Sequence, residues 1–532
     1  MRPDGNETPR GEREPCTRRS RQGATALICV AIAIVAIATE RVATPHGLAI
    51  SPDSVAYLAT ADGIAHGHGA AAPYGVNLTA SVPALSGRSL TPWEPTTVFE
   101  PLYSAVLAPL LPTLGAQSAG RVLSAVCFAL LLVLAGWVPY TWSGNRAALF
   151  LGPLLVLAAP DLLDVYVNVE SEVLFLPLVL AGTFALSCYL ERCARGPLAA
   201  AGVLIGAAVL TRYAGLGLIP GGALVVLLAG TPALRRRLLD AAIFASACGA
   251  PAAVWVLRNA LNGSAAARTV AFHPLTAAQL HTALRAAGSW FAPSRAPGIV
   301  KAAAWILVMI LVLSLAWRAR RRSALQLLIS LLVLCYLAGV VVSDTFLDAS
   351  TGIDARILAP AHLLVLVGIG YLAGEELTKV PIRLRVLPLA VLVAFGALAL
   401  ARGGAWLRTV RHSSVQYADS FWQHSPLMAT VRGLPPDVPI FTNAGDAVWF
   451  LDRRGTYPLP EVSDPRSGRT NDQLSAQLRK LGGFITARHA AVAFFTSVSW
   501  RTYLPSESML LARLRLRVSE HEPDGVLLAP PA

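Results

Sequence analysis

Charge is scarce in this sequence. Asp, Glu, Lys and Arg make up 14% of its 532 residues, against roughly 25% in an average soluble domain. So thin a polar complement, beside 55% hydrophobic residues, excludes an ordinary soluble protein. Paired cysteines are lacking as well. Of the seven cysteines, Cys29, Cys127, Cys248 and Cys335 lie inside apolar runs, Cys188 closes one, and Cys16 and Cys193 stand in Arg-rich segments. That distribution excludes a disulfide framework and a CxxC metal site. No internal repeat is visible, which argues against the inverted repeats of many transporters. Acidic residues are outnumbered 31 to 44, for a formal net charge of +13. The basic residues fall in short loops between apolar runs, as orientation signals do. No nucleic-acid partner is expected.

What the chain has in abundance is apolar runs of about 15 to 20 residues, each near the length that crosses a hydrocarbon core of about 30 Å. The candidate spans are 23–39, 120–141, 147–160, 172–190, 197–211, 214–230, 239–257, 299–317, 324–342, 356–374 and 387–401. A further run, Leu102 to Leu114, is interrupted by Pro109 and Pro112 and has the length of an interfacial or re-entrant segment. If it does not span, the loops bearing Arg146, Arg192 and Arg195, Arg235 to Arg237, Arg318 and Arg320 to Arg322, and Lys379, Arg383 and Arg385 share one side with the Arg-rich N-terminus. If it spans, all of them move outside, against the positive-inside rule. The N-terminal stretch has the charged and apolar parts of a signal peptide but no convincing small-residue cleavage site, so it is expected to stay as a first helix.

The expected fold is a polytopic α-helical membrane protein of about 11 transmembrane helices. It divides into a cytoplasmic segment 1–22, a transmembrane region 23–401 with a first outer loop 40–119, and an extracytoplasmic tail 402–532. Other outer segments are 161–171, 258–298 and 343–355. The tail alternates strand-like runs (Pro439 to Thr442, Ala491 to Thr496, Leu514 to Val518) with helical ones (Asp446 to Leu451, Asn471 to Leu481), which predicts a small α/β domain.

The sharpest local signal follows the first span: Ile50-Ser51-Pro52-Asp53-Ser54-Val55-Ala56-Tyr57-Leu58. Ser51 and Asp53 are plausible caps, Pro52 suits a first turn, and Tyr57, Leu58, Ala61 and Ile64 form a stripe at helical spacing. A short helix on the outer surface is expected, with Asp53 at its N-terminal end, ended by the Gly-rich stretch around His66 and His68. From local physics alone Asp53 is an N-cap.

The order of features resembles the GT-C superfamily of membrane glycosyltransferases, which includes protein O-mannosyltransferases, lipid A aminoarabinose transferases and mycobacterial arabinofuranosyltransferases. Its first outer loop carries an Asp on a surface helix, the matching residue here being Asp53; the second acidic residue of many members is Ser54 in this chain. Glu100-Pro101-Leu102-Tyr103-Ser104 resembles a Pro-Leu-Tyr-Pro element, and Glu170-Ser171-Glu172 with Leu174-Phe175 a Ser-Glu-x-Leu-Phe element. Thr211-Arg212-Tyr213 is similar to a basic aromatic turn. Arg258-Asn259, Arg268 and His273-Pro274 resemble an outer loop, Arg356 to Pro360 resembles an Arg-x-x-x-Pro element, and Thr442 to Phe450 is similar to tail domains of bacterial members.

The resemblance implies transfer of a sugar from a polyprenyl-phosphate donor to an envelope glycan, lipid or protein at the outer face of a bacterial plasma membrane. Asp53 would orient or deprotonate the acceptor, and Arg212, Arg258 and Arg356 would meet the departing phosphate with a fork of permanent positive charge. Tyr57 and Glu172 complete the expected substrate-binding set. The bland alternative for the arginines is interfacial anchoring, and for Glu172 a carboxylate favoured by the helix dipole. Glu94 and Glu100 are expected in a solvated loop, and most of Trp93, Trp290, Phe291, Trp406 and Trp422 in an aromatic belt, with one or two able to stack on a sugar face. His66 and His68, separated by Gly67 and with Asp62 nearby, are not expected to form a metal site; no cofactor is called for, and the sequence gives a divalent metal no support. A transporter or flippase, or a non-catalytic scaffold of envelope assembly, is the competing reading.

Overall fold

The computed structural model describes residues 14–76, 93–231, 233–262, 272–291, 296–319, 323–348, 352–379, 381 and 386–531. Arg268, Arg320, Arg321, Arg322, Arg383 and Arg385, all named above, lie outside them. Every candidate span contains a helix. The helices are α1 (Glu14–Ala43), α2 (Pro52–Ala65), α3 (Pro101–Leu107), α4 (Leu111–Ser143), α5 (Ala148–Leu157), α6 (Pro160–Val165), α7 (Glu172–Arg192), α8 (Arg195–Thr211) and α9 (Leu218–Ala229), the last entered through a 3₁₀ turn at Tyr213–Gly217. They continue with α10 (Leu234–Leu261), α11 (Ala277–Gly288), α12 (Gly298–Ala319), α13 (Ala324–Phe346), α14 (Ala355–Lys379) and α15 (Val386–Val410). Among the described residues six helices are long and apolar enough to cross a membrane, namely the Gly23–Ala43 part of α1 and α4, α7, α10, α13 and α14. The chain is a multi-pass membrane protein.

The proline-interrupted run breaks up as its chemistry requires. Pro101 starts α3, which at 7 residues is about 10 Å long, and α4 begins at Leu111 but leaves helical geometry at Gly115, φ +73°. Neither α3 nor the turn 111–114 ahead of that break is long enough to cross a bilayer. Pro52, Pro101 and Pro160 all sit in first turns, where the missing N–H costs no hydrogen bond.

Helix α2 is not a surface helix with one apolar stripe. Residues Ser54 to Ala61 are all buried, because α3 and the C-terminal part of the chain cover the faces that would otherwise meet water. Its Ala-rich composition permits close approach on every side. Gly63 is the extreme case: a Cβ there would stand 2.3 Å from the Ala71 carbonyl oxygen, in the short strand β1 (Ala71–Ala72), which pairs antiparallel with β2 (Glu94–Pro95).

After α15 come α16 (Ser420–Gln423), α17 (Pro426–Gly433), α18 (Gly445–Asp452), α19 (Leu474–Arg488) and α20 (Glu507–Leu514), with strands β3 (Ile440–Thr442), β4 (Tyr457–Pro458), β5 (Ala491–Phe495), β6 (Arg517–Glu522) and β7 (Gly525–Ala529). The strands form one sheet in the order β4-β3-β5-β7-β6. Strand β3 runs parallel to β4 and β5, and β7 runs antiparallel to β5 and β6. The run Leu514 to Val518 is not one strand. Leu510 and Leu514 share the buried face of α20, Arg515 turns through φ +53°, and the strand starts at Arg517.

This sheet region is joined to the first loop through backbone groups. Ile50 N donates to Val415 O and Tyr417 N to Ile50 O, each at 3.1 Å, and Thr456 N donates to Pro73 O at 3.1 Å. The start of α2 is thereby placed between the helical bundle and the sheet.

Candidate functional site

The chain entering α2 forms a reciprocal cap. Ser51 Oγ accepts the Ser54 N–H at 3.1 Å and Ser54 Oγ accepts the Ser51 N–H at 3.0 Å, satisfying two helix-terminal donors at once. Asp53 is therefore not the cap. Its carboxylate is free to project from the first turn, and its side chain keeps 43% exposure. Ser54 is fully buried and used in the cap.

Asp53 faces Arg356, the second residue of α14. The guanidinium reaches three carboxylates: Nη2 to Asp53 Oδ2 at 3.3 Å, Nη1 to Glu170 Oε1 at 2.9 Å and Nε to Glu172 Oε1 at 3.0 Å. Glu172 Oε1 also takes Arg212 Nη1 at 2.8 Å. Arg212 stands in the gap between α8 and the 3₁₀ turn, where an extended backbone (φ −155°) ends the helix. Its Nη1 also donates to Ser171 Oγ at 3.2 Å, as does the Tyr57 hydroxyl at 2.9 Å. Phe99 and Tyr103 hold the Tyr57 ring edge-on at 5.2 Å each.

Four of the expected side chains beside Asp53 thus meet: Tyr57, Glu172, Arg212 and Arg356 lie in one network with it. Arg258 does not join them. Its donors are spent on the carbonyls of Thr96 (2.7 Å) and Ala70 (2.8 Å), and it lies over the Trp255 ring, so it pins the β1–β2 hairpin to α10. Glu100 is not solvated either. It is buried and its Oε1 accepts the Tyr213 N–H at 2.5 Å, holding the turn that carries Arg212.

Burial and the neighbouring Glu172 charge push the Glu170 carboxyl up, and these outweigh the pull of Arg356. Glu170 is thus held protonated near neutrality, beside a Glu172 clamped by two arginines. Burial raises the Tyr57 phenol far above its ordinary range, so it serves as a neutral hydrogen-bond donor.

Two clefts meet at Asp53. One, of about 360 Å³, lies toward the bundle and is lined by Asp53, Tyr57, Arg212, Asp354, Arg356 and Arg466 among others. The other, of about 160 Å³, lies toward the sheet and is lined by Asp53, Tyr74, Glu94, Asp446, Glu461 and Trp500 among others. Gly75 lets the two sides close on each other, since a Cβ there would meet the Pro458 ring at 2.4 Å.

Among the described residues no group of three or more His, Cys, Asp or Glu is placed to hold a metal ion. His66 Nδ1 bonds back to the Asp62 carbonyl and His68 stacks on Trp93 at 4.0 Å. The aromatic belt needs correction at three positions. Trp290 is buried against His362, Trp406 donates to Asp164, and Trp422 is buried on Tyr417.

Sequence reasoning passed over Glu170 and Ser171 as site residues. Their signal was the polar triplet ahead of an apolar run, where ionisable groups are costly and most often functional. The pair Asp446 and Arg501, with Nη2 to Oδ2 at 2.5 Å, carried no signal, being 55 residues apart in the chain.

Neither a family model nor a curated protein matches the chain. Solved structures do. ArnT from Cupriavidus metallidurans bound to undecaprenyl phosphate superposes with a TM-score of 0.60 at 14% identity, over 94% of this chain and 98% of that one. The archaeal oligosaccharyltransferase AglB from Archaeoglobus fulgidus, in complex with an inhibitory peptide and a dolichol-phosphate, superposes with a TM-score of 0.52 at 12% identity, over 88% and 70%. At such identities the likeness is one of fold.

Proposed function

Starting from that GT-C fold, we propose that the chain is an integral membrane glycosyltransferase. It moves a sugar from a polyprenyl-phosphate donor to a cell-envelope glycan, lipid or protein at the outer face of a bacterial plasma membrane. In this reading about eleven helices span, the N-terminus is cytoplasmic, and residues 402–532 are an extracytoplasmic domain that shapes acceptor access. The lipid phosphates named with both solved relatives support the class of donor, and the side of the membrane rests on the loop charges.

One observation carries the proposal: Asp53 stands on the common wall of two clefts, within hydrogen-bond reach of an arginine at the end of a spanning helix. The larger cleft, where Arg212, Arg356 and Arg466 stand among five carboxylates, takes the donor, its phosphate meeting the arginines. The smaller one admits the acceptor. The acceptor's hydroxyl or amine attacks the anomeric carbon, and its proton passes to the Asp53 carboxylate. The bond from that carbon to the phosphate oxygen breaks, its electron pair leaves with the polyprenyl phosphate, and the developing charge falls beside Arg356. Glu172, anchored by Arg212, keeps the Arg356 guanidinium aimed at this point. Arg258 acts by fixing the hairpin that walls the clefts. These steps require no cofactor.

The test is transfer of label by the purified protein in lipid, using a panel of polyprenyl-phosphate sugars with crude envelope as acceptor. Transfer from at least one donor is the expected result. No transfer from any donor contradicts the proposal.

A further inference from the structure

The two clefts at Asp53 differ in the cations that line them. The larger one carries three arginines among five carboxylates, whereas among the described residues the smaller has a single cation, Arg501, which Asp446 neutralises at 2.5 Å. Asp53, Glu94 and Glu461 also line the smaller cleft. Among the described residues an acceptor presenting a phosphate or carboxylate would meet no unpaired positive charge there, and would face the Asp53 carboxylate.

The walls of the smaller cleft hold unspent hydrogen-bonding capacity beside an aromatic plane. Tyr74 OH, Thr456 Oγ1, Asp446 Oδ1 and Arg501 Nε are buried and have no hydrogen-bond partner among the described residues, and Tyr74, Thr456 and Asp446 are at most 5% exposed. Buried polar atoms are ordinarily satisfied. Two of these four are hydroxyls able both to donate and to accept, one is an acceptor and one a donor, a mixture that matches the alternating hydroxyls of a sugar. Burial pushes Glu94 up to about 7 and Glu461 up to about 8, so Glu461 adds a neutral donor near neutrality. Arg501 covers one face of the Trp500 ring at 4.5 Å, and Trp500 is still 54% exposed, leaving apolar surface for the C–H face of a sugar ring.

We infer that the cleft between the first loop and the C-terminal sheet is the acceptor subsite, and that it takes the uncharged, polyhydroxylated end of a glycan in preference to a phosphorylated or acidic acceptor. This rests on the glycosyltransferase reading for the word acceptor. The binding preference follows from the cleft itself.

The experiment uses the full chain in lipid nanodiscs without donor. The probes are mannan, arabinan and glucan tetrasaccharides, each with and without a terminal phosphomonoester, and binding is followed by saturation-transfer NMR and calorimetry. At least one uncharged tetrasaccharide should bind, with its phosphorylated form about fivefold weaker or more. Trp500→Ala should weaken the uncharged probe by about fivefold, the scale of one lost aromatic contact, while retained binding of polyprenyl phosphate shows that the variant is folded. Equal or tighter binding of the phosphorylated forms, no binding of any uncharged probe, or indifference to Trp500→Ala overturns the inference. Transfer to a phosphorylated acceptor without binding of an uncharged probe would overturn it while sparing the proposed function. Binding of an uncharged probe by a protein that never transfers would support the cleft's preference and overturn the enzyme reading instead.

Discussion

Glu170 and Glu172 are two residues apart and share one guanidinium, yet their environments assign them opposite states. Glu172 Oε1 accepts from Arg212 and Arg356 together, so its charge is matched. Glu170 has only Arg356 and is pushed up by burial and by Glu172 itself. Glu170→Gln, which copies the protonated form, should keep transfer within about threefold of wild type. Glu172→Gln should lower it by about tenfold or more, because one hydrogen bond to a charged group is worth roughly 1.5–3 kcal/mol. Initial rates at saturating donor decide between these outcomes, and equal losses in the two variants would contradict the assignment. Arg356→Lys keeps the positive charge but cannot span three carboxylates from one planar fork. It is expected to weaken polyprenyl-phosphate binding by about tenfold, measured by competition with a labelled lipid phosphate.

Helix α2 shows how an element turns a local sequence pattern into a site. With the cap made by Ser51 and Ser54, Asp53 is left unbonded to its own helix and free to reach across to α14. Ser51→Ala should cost about 1 kcal/mol, seen as a lowered melting midpoint with reduced transfer. Gly63→Ala should cost about 1–3 kcal/mol, because the new Cβ has no room beside the Ala71 carbonyl. Much of this element was legible beforehand. Ser-Pro-Asp-Ser announces a helix start, and the helices follow the apolar runs closely because a segment in hydrocarbon has to satisfy its backbone internally. The burial of α2 was not legible. Its Ala-rich surface reads as a weak stripe until the sheet region, some 400 residues later, comes to lie on it. The same holds for Glu100 and Arg258. A loop carboxylate and a loop-side arginine look solvated in sequence, and only the fold brings the Tyr213 N–H and the Thr96 and Ala70 carbonyls to them.

At the scale of the whole molecule, the sheet region and the bundle share the Asp53 wall, so conditions that loosen one should be felt at the other. Glu461, at the smaller cleft, is raised from 4.5 to about 8, chiefly by burial and further by Asp464. The folded state therefore holds a proton that the unfolded chain releases above about 4.5. Between that value and about 8 the unfolded state binds fewer protons, and stability falls as pH rises. The midpoint of thermal unfolding should decline across this window, and Glu461→Gln should flatten the decline; an unchanged slope in the variant would contradict the burial of this carboxyl as its cause. The most direct measurement for the account as a whole is transfer by Asp53→Asn beside wild type, in the same lipid and with the same donor, with polyprenyl-phosphate binding as the check on folding. A lost general base costs about a hundredfold or more, so the account predicts transfer reduced by that factor while the lipid phosphate still binds. Transfer by Asp53→Asn within a few-fold of wild type would contradict it.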